Sequence, residues 1–388
     1  MISGTHRNSL QEQVVYGRPA LEAVSELAAA YGAKRLMIVS TASLSGPDGL
    51  ARRLGDALGA ACVGLFADIA AHSPRSAVIA GADQARRAEA DLLVAVGGGS
   101  AIDAAKVMQL CLWAGIERAD DLDAYRAGAG PGRVDVAKIT PGVRMIAVPT
   151  TLSAAEFTPF AGVTDTARKA KEGYGHPNLA PRAVILDPAM TTATPPRLWF
   201  STGMKAVDHA VEQLVNPLRS PYADALAAEG LKGLARALPA SKAAPGDLEA
   251  RLDCQIGMWL AMAGASSGRG LGASHAIGHT LGGGFGVPHG LTSCAALPAV
   301  LKWNEAVAPE RQAVVAALMG RPELTAAEAV KTLARSLDLP TDLASLGIRA
   351  DQFPTIAEQT MHDRGVRSNP RPITGPADIV EILELARA

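Results

Sequence analysis

Four of the chain's eight histidines fall in two short motifs. His275, His279 and His289 lie in Gly272-Ala-Ser-His-Ala-Ile-Gly-His-Thr-Leu-Gly-Gly-Gly-Phe-Gly-Val-Pro-His289, and His209 closes Ser201-Thr-Gly-Met-Lys-Ala-Val-Asp-His209. Imidazole is the commonest metal ligand in proteins and the usual proton carrier near neutral pH. His275 and His279 are four residues apart, so on a helix both project from one face and can share a metal. The plainer reading is a set of core histidines satisfied by hydrogen bonds. Lys205 stands one helical turn before His209, and Glu212 follows near the next turn.

A second candidate site is Gly97-Gly-Gly-Ser100, which follows the apolar run Asp91–Val96 and opens the helical stretch Ala101-Ile-Asp-Ala-Ala-Lys106. Glycines allow the backbone to approach a phosphate, and a helix N-terminus offers free amides in a favourable dipole. This is not the GxGxxG fingerprint, and a plain tight turn remains an alternative. Pro149-Thr-Thr151 follows another apolar run; its hydroxyls are placed to reach a ligand at a strand end or simply to cap a turn. Thr41 ends a third run, where dinucleotide enzymes often carry an acidic residue. A neutral residue there accepts NADPH as readily as NADH. Arg52 and Arg53 either assist a 2′-phosphate or are solvated helix arginines.

The elements that must position these residues follow from hydrophobic patterning. Arg35–Ser40, Asp91–Val96, Met145–Val148 and Ala183–Leu186 read as buried strands separated by helical segments, beginning with a helix around Ala20–Tyr31. That alternation predicts a parallel sheet covered on both faces, an α/β dinucleotide-binding domain over residues 1–190. Beyond Asp187-Pro188 the strand signals stop. Ala/Leu-rich stretches such as Ala223–Leu238 and Leu248–Ala265, broken at Pro239, Pro245, Pro288 and Pro340, predict an all-helical domain over residues 191–388. Met204–Val215 reads as a helix with Val207, Ala210, Val211 and Leu214 on its apolar stripe.

Composition narrows the function classes. The 388 residues are 48% hydrophobic and 19% charged with a net charge of −1, which suits an ordinary globular protein and disfavours nucleic acid as a partner. A small molecule is the expected partner. Cys62, Cys111, Cys254 and Cys294 are widely spaced, which predicts reduced thiols and a cytoplasmic protein. No signal sequence or membrane-spanning run is apparent, so no membrane association is expected.

Taken together, Gly97-Gly-Gly-Ser-Ala-Ile-Asp-Ala-Ala-Lys106, Pro149-Thr-Thr151, Asp187-Pro188, Thr202–His209, His275–His279 and Pro288-His289 resemble the iron-containing (group III) alcohol dehydrogenase family over nearly the full chain. The details resemble its maleylacetate reductase branch: Glu156 soon after Pro149-Thr-Thr, then Thr158-Pro159, Gly162-Val-Thr164, Ala71-His-Ser-Pro74, Leu179-Ala-Pro-Arg182, Leu281-Gly-Gly283 and Asn369-Pro-Arg-Pro372. The resemblance implies a dehydroquinate synthase-like fold whose active site lies in the cleft between an α/β and a helical domain. It implies NADH or NADPH bound by Thr41, Gly97, Gly98, Gly99, Ser100, Asp103, Thr150, Thr151 and Leu152, and a homodimer.

In metal-dependent members of the family one Asp and three His hold iron or zinc. The histidines correspond to His209, His275 and His289, with His279 nearby, but the aspartate position corresponds to Lys205. Two unit charges at ~4 Å repel by several kcal/mol at an effective dielectric of about 20, and a divalent ion doubles this. Asp208 is rotated about 100° from His209 and is a poor substitute, although it can pair with Lys205 at i, i+3. The expectation is therefore no tightly bound metal. Lys205 would stabilise developing charge or anchor a substrate carboxylate, and one of His209, His275, His279 or His289 would move the proton. The reaction expected is the reduction of a small carbonyl-bearing acid in aromatic-compound degradation. A metal-dependent alcohol dehydrogenase holding its ion on His209, His275 and His289, and a sugar-phosphate cyclase, are the alternatives. Arg269, Lys169, Lys171, Arg364 and Arg367 are further candidates to meet a carboxylate.

Overall fold

The computed structural model describes residues 10–128, 132–168, 170–218, 220–267 and 271–388. Lys169 and Arg269 lie outside the described residues. The described residues form two compact units, one ending at Ala193 and the other spanning Thr194–Ala388.

In the first unit, strands β1 (Gln13–Tyr16), β2 (Leu36–Val39), β3 (Cys62–Phe66), β4 (Leu92–Gly97), β5 (Arg144–Pro149) and β8 (Ala183–Leu186) form a parallel sheet in the order β1-β8-β5-β4-β2-β3. β6 (Phe160–Asp165) and β7 (Ala170–Gly175) make a separate antiparallel pair. Helices α1 (Ala20–Ala30), α2 (Leu50–Leu58), α3 (Arg75–Arg87) and α4 (Gly99–Ala114) complete the unit. Leu36, Ile38, Val94, Val96, Ile146, Val148 and Ile185 pack with Ala23, Val24 and Leu27 of α1 and Ala51 and Leu54 of α2 into one core. The central strands β2, β4 and β8 are buried at every residue, which is why they read as continuous apolar runs.

The chain leaves β2 for the edge strand β3, then returns across β2 to β4 and continues the other way to β5. The sheet therefore reverses direction between β2 and β4. In open α/β sheets a ligand crevice forms beyond the strand ends at such a point. Ser40-Thr41 and Gly97–Ser100 are the residues that leave those two ends.

The second unit contains, among the described residues, only helices: α5 (Pro196–Val215), α6 (Pro221–Ala243), α7 (Leu248–Ser267), α8 (Ala273–Phe285), α9 (His289–Trp303), α10 (Pro309–Leu318), α11 (Ala326–Ser336), α12 (Phe353–Thr360) and α13 (Pro376–Leu385), with short 3₁₀ turns. Pro239 does not break the chain as expected, because α6 continues through it to Ala243. The ring removes one backbone hydrogen bond near the helix end, while close packing against α7 holds the rest of the helix. A Cβ on Gly230 would lie 2.5 Å from the amide nitrogen of Ala261. Glycine is required there because two backbones touch.

Candidate active site

The glycine turn is built tightly against its neighbour. Gly97 closes β4 in register with Pro149, and its carbonyl accepts the Thr150 amide at 3.0 Å. A Cβ on Gly98 would stand 3.0 Å from Thr151 Cγ2, and one on Gly99 3.1 Å from Ser153 Oγ. Only a side-chain-free turn lets the Thr150–Leu152 segment lie alongside the start of α4. The structure thus brings Gly97, Gly98, Gly99, Thr150 and Thr151 together at one helix N-terminus, a ready anion site. Thr41 follows β2 at the reversal point, with its Oγ1 3.0 Å from Ser43 Oγ. Arg52 and Arg53 are exposed on α2.

Two other candidates have internal work. Ser100 Oγ accepts the His72 amide at 3.1 Å, and its carbonyl accepts the Ser73 hydroxyl at 2.8 Å. His72 and Ser73 both hold positive φ, 64° and 53°, so two strained residues are latched to the glycine turn. Asp103 accepts the Gly162 amide at 3.1 Å and so ties α4 to β6.

Lys106 was not singled out as a functional residue by its sequence. It is fully buried on α4 and donates to the carbonyls of Ala155, Thr158 and Phe160 at 2.5, 2.7 and 2.8 Å. Burial pulls its ammonium down to about 8, with Asp103 and Glu156 opposing. Three carbonyls match the three N–H groups of an ammonium, so Lys106 shapes the loop after Pro149-Thr-Thr151. The sequence signal was a lysine within a largely apolar helix.

In the second unit, α5 carries Lys205, Asp208, His209 and Glu212, α8 carries His275 and His279, and His289 opens α9. Small residues draw these helices together. A Cβ on Gly290 would lie 2.6 Å from the Ser201 carbonyl carbon, and one on Gly278 2.8 Å from Thr292 Oγ1. The rings consequently converge. His209 stacks on His275 at 4.8 Å between centroids with 20° between planes. His275 stands 6.2 Å from His279 and 6.4 Å from His289, and His279 stands 5.2 Å from His289.

The two carboxylates of α5 turn to α8. Glu212 Oε2 lies 2.8 Å from His275 Nδ1, and Glu212 also accepts the amides of Gly272 and Ser274. Asp208 accepts the Ser274 hydroxyl at 2.8 Å and sits 3.5 Å from His275 Nδ1. Burial raises both carboxyls above their ordinary range. Burial likewise pushes His275 down to about 4, against the pull of Asp208, with Lys205 and His279 adding to the shift. Burial also holds His209 well below its usual value, helped by the charges of His275 and Lys205. Both rings are neutral at pH 7, and Lys205 is the half-buried cation beside them.

Asp208, Glu212 and His275 present three metal-type donors within reach of one another. Both Glu212 oxygens and Asp208 Oδ2 already accept N–H and O–H groups and support α8, while Asp208 Oδ1 is buried without a hydrogen bond. The remaining candidate donors are His209 Nδ1 and His275 Nε2, both buried without a hydrogen bond, together with His289. Lys205, whose charge bears on His209 and His275, places a cation beside these nitrogens. Lys171 is exposed on β7, and Arg364 and Arg367 are exposed on the turn Arg364–Ser368. Asp363, which contacts His279, was missed by sequence reasoning.

Residues 11–188 match the iron-containing alcohol dehydrogenase model and residues 199–387 its C-terminal domain model. Dehydrogenase FUM7 of Gibberella moniliformis is 33% identical over 98% of this chain and 97% of its own length. Maleylacetate reductase 2 of Cupriavidus pinatubonensis is 33% identical over 96% of this chain and 94% of its own. The crystal structure of maleylacetate reductase from Agrobacterium tumefaciens superposes with a TM-score of 0.83 at 28% identity, covering 100% of this chain and 99% of that one. The chain belongs to the iron-containing alcohol dehydrogenase family and is an oxidoreductase. No described helix is long and apolar enough to cross a membrane.

Proposed function

We propose that the chain is an NAD(P)H-dependent reductase of a small carbonyl-bearing acid, of the maleylacetate reductase kind, working without a tightly bound metal. The observation that carries this reading is Lys205. Its charge bears on the neutral rings of His209 and His275 in the middle of the histidine cluster. An ammonium in a largely buried site stabilises negative charge developing on a substrate oxygen, or holds a carboxylate, without a Lewis acid. The glycine turn at the start of α4 supports the nucleotide half of the reading, and relatives named maleylacetate reductase support the substrate class.

The test is a panel of carbonyl acids, including maleylacetate, followed at the NAD(P)H absorbance with and without chelator. Maleylacetate turnover that ignores chelator is the expected result. One iron or zinc per purified chain, with activity lost on chelation, would overturn the metal-free reading. That outcome would favour a metal-dependent alcohol dehydrogenase, for which the two bare buried nitrogens of His209 and His275 speak.

A further inference from the structure

His275 and His279 share one face of α8, and each spends its Nδ1 on a carboxylate. For His275 the partner is Glu212 at 2.8 Å, and the side chains are sealed, 2% and 3% exposed. For His279 the partner is Asp363 Oδ2, also at 2.8 Å, but the imidazole is 51% exposed and Asp363 27%. Asp363 is itself fixed, because its Oδ1 accepts the Gly365 amide at 2.8 Å. The carboxylate is thus anchored at one oxygen and aimed at the ring with the other. Burial is the largest influence and works against its ionisation, but the hydrogen bond and charge of His279 together with the Gly365 amide outweigh it and hold the carboxyl below its ordinary range.

A carboxylate that accepts from Nδ1–H fixes the tautomer, makes Nε2 the basic nitrogen and stabilises the imidazolium. Of the two supported rings, only the exposed one exchanges protons readily with water. We propose that Asp363 is a positioning residue that fixes His279 as the group carrying the proton between solvent and substrate. This rests on the reductase reading above. In the step, a hydride from the dihydronicotinamide, one hydrogen with two electrons, forms the new C–H bond as the substrate π bond breaks. His279 Nε2–H gives its proton to the atom left with the electron pair. NAD(P)⁺ is the oxidised product, and neutral His279 regains a proton from water.

The test compares wild type with Asp363→Asn, which keeps the side chain's size and an acceptor for Gly365. Its amide N–H then faces Nδ1, so Nε2 carries the hydrogen and is no longer the bare nitrogen. Two measurements are made on the full chain. Carbethoxylation of His279 by diethyl pyrocarbonate, mapped by peptide mass, should slow about tenfold or more, with Asp363→Glu retaining the fast reaction. Turnover should fall about 10²- to 10⁴-fold with an unchanged KM for NAD(P)H, and His279→Ala should be partly rescued by added imidazole. Equal carbethoxylation rates, or turnover in Asp363→Asn within about threefold of an active wild type, would overturn the proposal. A wild type silent on every substrate would instead sink the reductase reading, and the carbethoxylation rates would still decide whether Asp363 sets the reactivity of His279.

Discussion

Glu212 Oε2 lies 2.8 Å from His275 Nδ1, and the same carboxylate accepts the amides of Gly272 and Ser274 at 2.7 and 2.8 Å. Gly272 is the N-cap of α8 and Ser274 lies in its first turn. One side chain of α5 therefore satisfies the start of α8 and decides which nitrogen of His275 carries hydrogen. A carboxylate presents acceptors at both ends, whereas an amide presents only one. Glu212→Gln must set an N–H either against a backbone amide or against His275 Nδ1. The expected outcome is a loss of about 1–3 kcal/mol in urea unfolding, with reduced turnover. A variant matching wild type in both would show that the contact carries neither role.

Lys205 offers a gain-of-function experiment. If this cation excludes a divalent ion from His209, His275 and His289, removing it should matter less than reversing it. Lys205→Asp should restore one anionic donor and take up iron or zinc at about one per chain, since charge reversal replaces repulsion with attraction of several kcal/mol. Lys205→Ala should stay nearly metal-free and lose turnover. Elemental analysis after dialysis against each metal reads the difference. A metal-free Lys205→Asp would mean that ring placement, not charge, excludes the ion.

The legible parts of the sequence were those whose function demands a local pattern. β4, the glycine turn and α4 announced themselves because a fully buried strand must be apolar and a close turn must lack side chains. The histidine motifs were visible because Lys205 and His209 lie one turn apart on α5, His275 and His279 one turn apart on α8, and His289 follows at once at the start of α9. β1 and β3 were missed: β1 is four residues with exposed ends, and β3 is half-buried and interrupted by Gly64. The β6–β7 pair, rich in glycine and carrying Lys171 and Glu172, has no apolar run to notice. Asp363 and Lys106 act through partners 84 and 49 to 54 residues away, a relation that no local window contains.

The glycine turn should tolerate little. Gly97 holds φ at 151°, and a Cβ there would meet the Ala101 Cβ at 3.0 Å. Gly97→Ala combines backbone strain of about 1–3 kcal/mol with a shift of the amides that open α4. Fluorescence titration with NADH and NADPH should therefore show weakening of about tenfold or more for both, alongside a lowered melting temperature. Wild-type affinity in a destabilised Gly97→Ala would place the nucleotide elsewhere.

Alkaline stability should be governed by buried thiols. Cys111, Cys254 and Cys294 are free and buried, and burial pushes each from its ordinary 9.0 up to about 12. Between those values the folded chain keeps protons that the unfolded chain has released. Stability from these groups is therefore complete below pH 9 and is lost as pH climbs toward 12. Lys106 runs the other way, because its folded value of about 8 lies below 10.5, so it adds stability across that interval. Three thiols against one ammonium leave a net loss of protons on unfolding. Urea unfolding under reducing conditions should show stability falling steadily above about pH 9.5, by up to ~1.4 kcal/mol per pH unit for each uncompensated thiol. Cys111→Ala should flatten that decline by about one proton's worth of slope. A wild-type curve that is flat or rising to pH 11 would contradict the assignment, because thiols kept protonated only in the folded chain lower stability as pH rises.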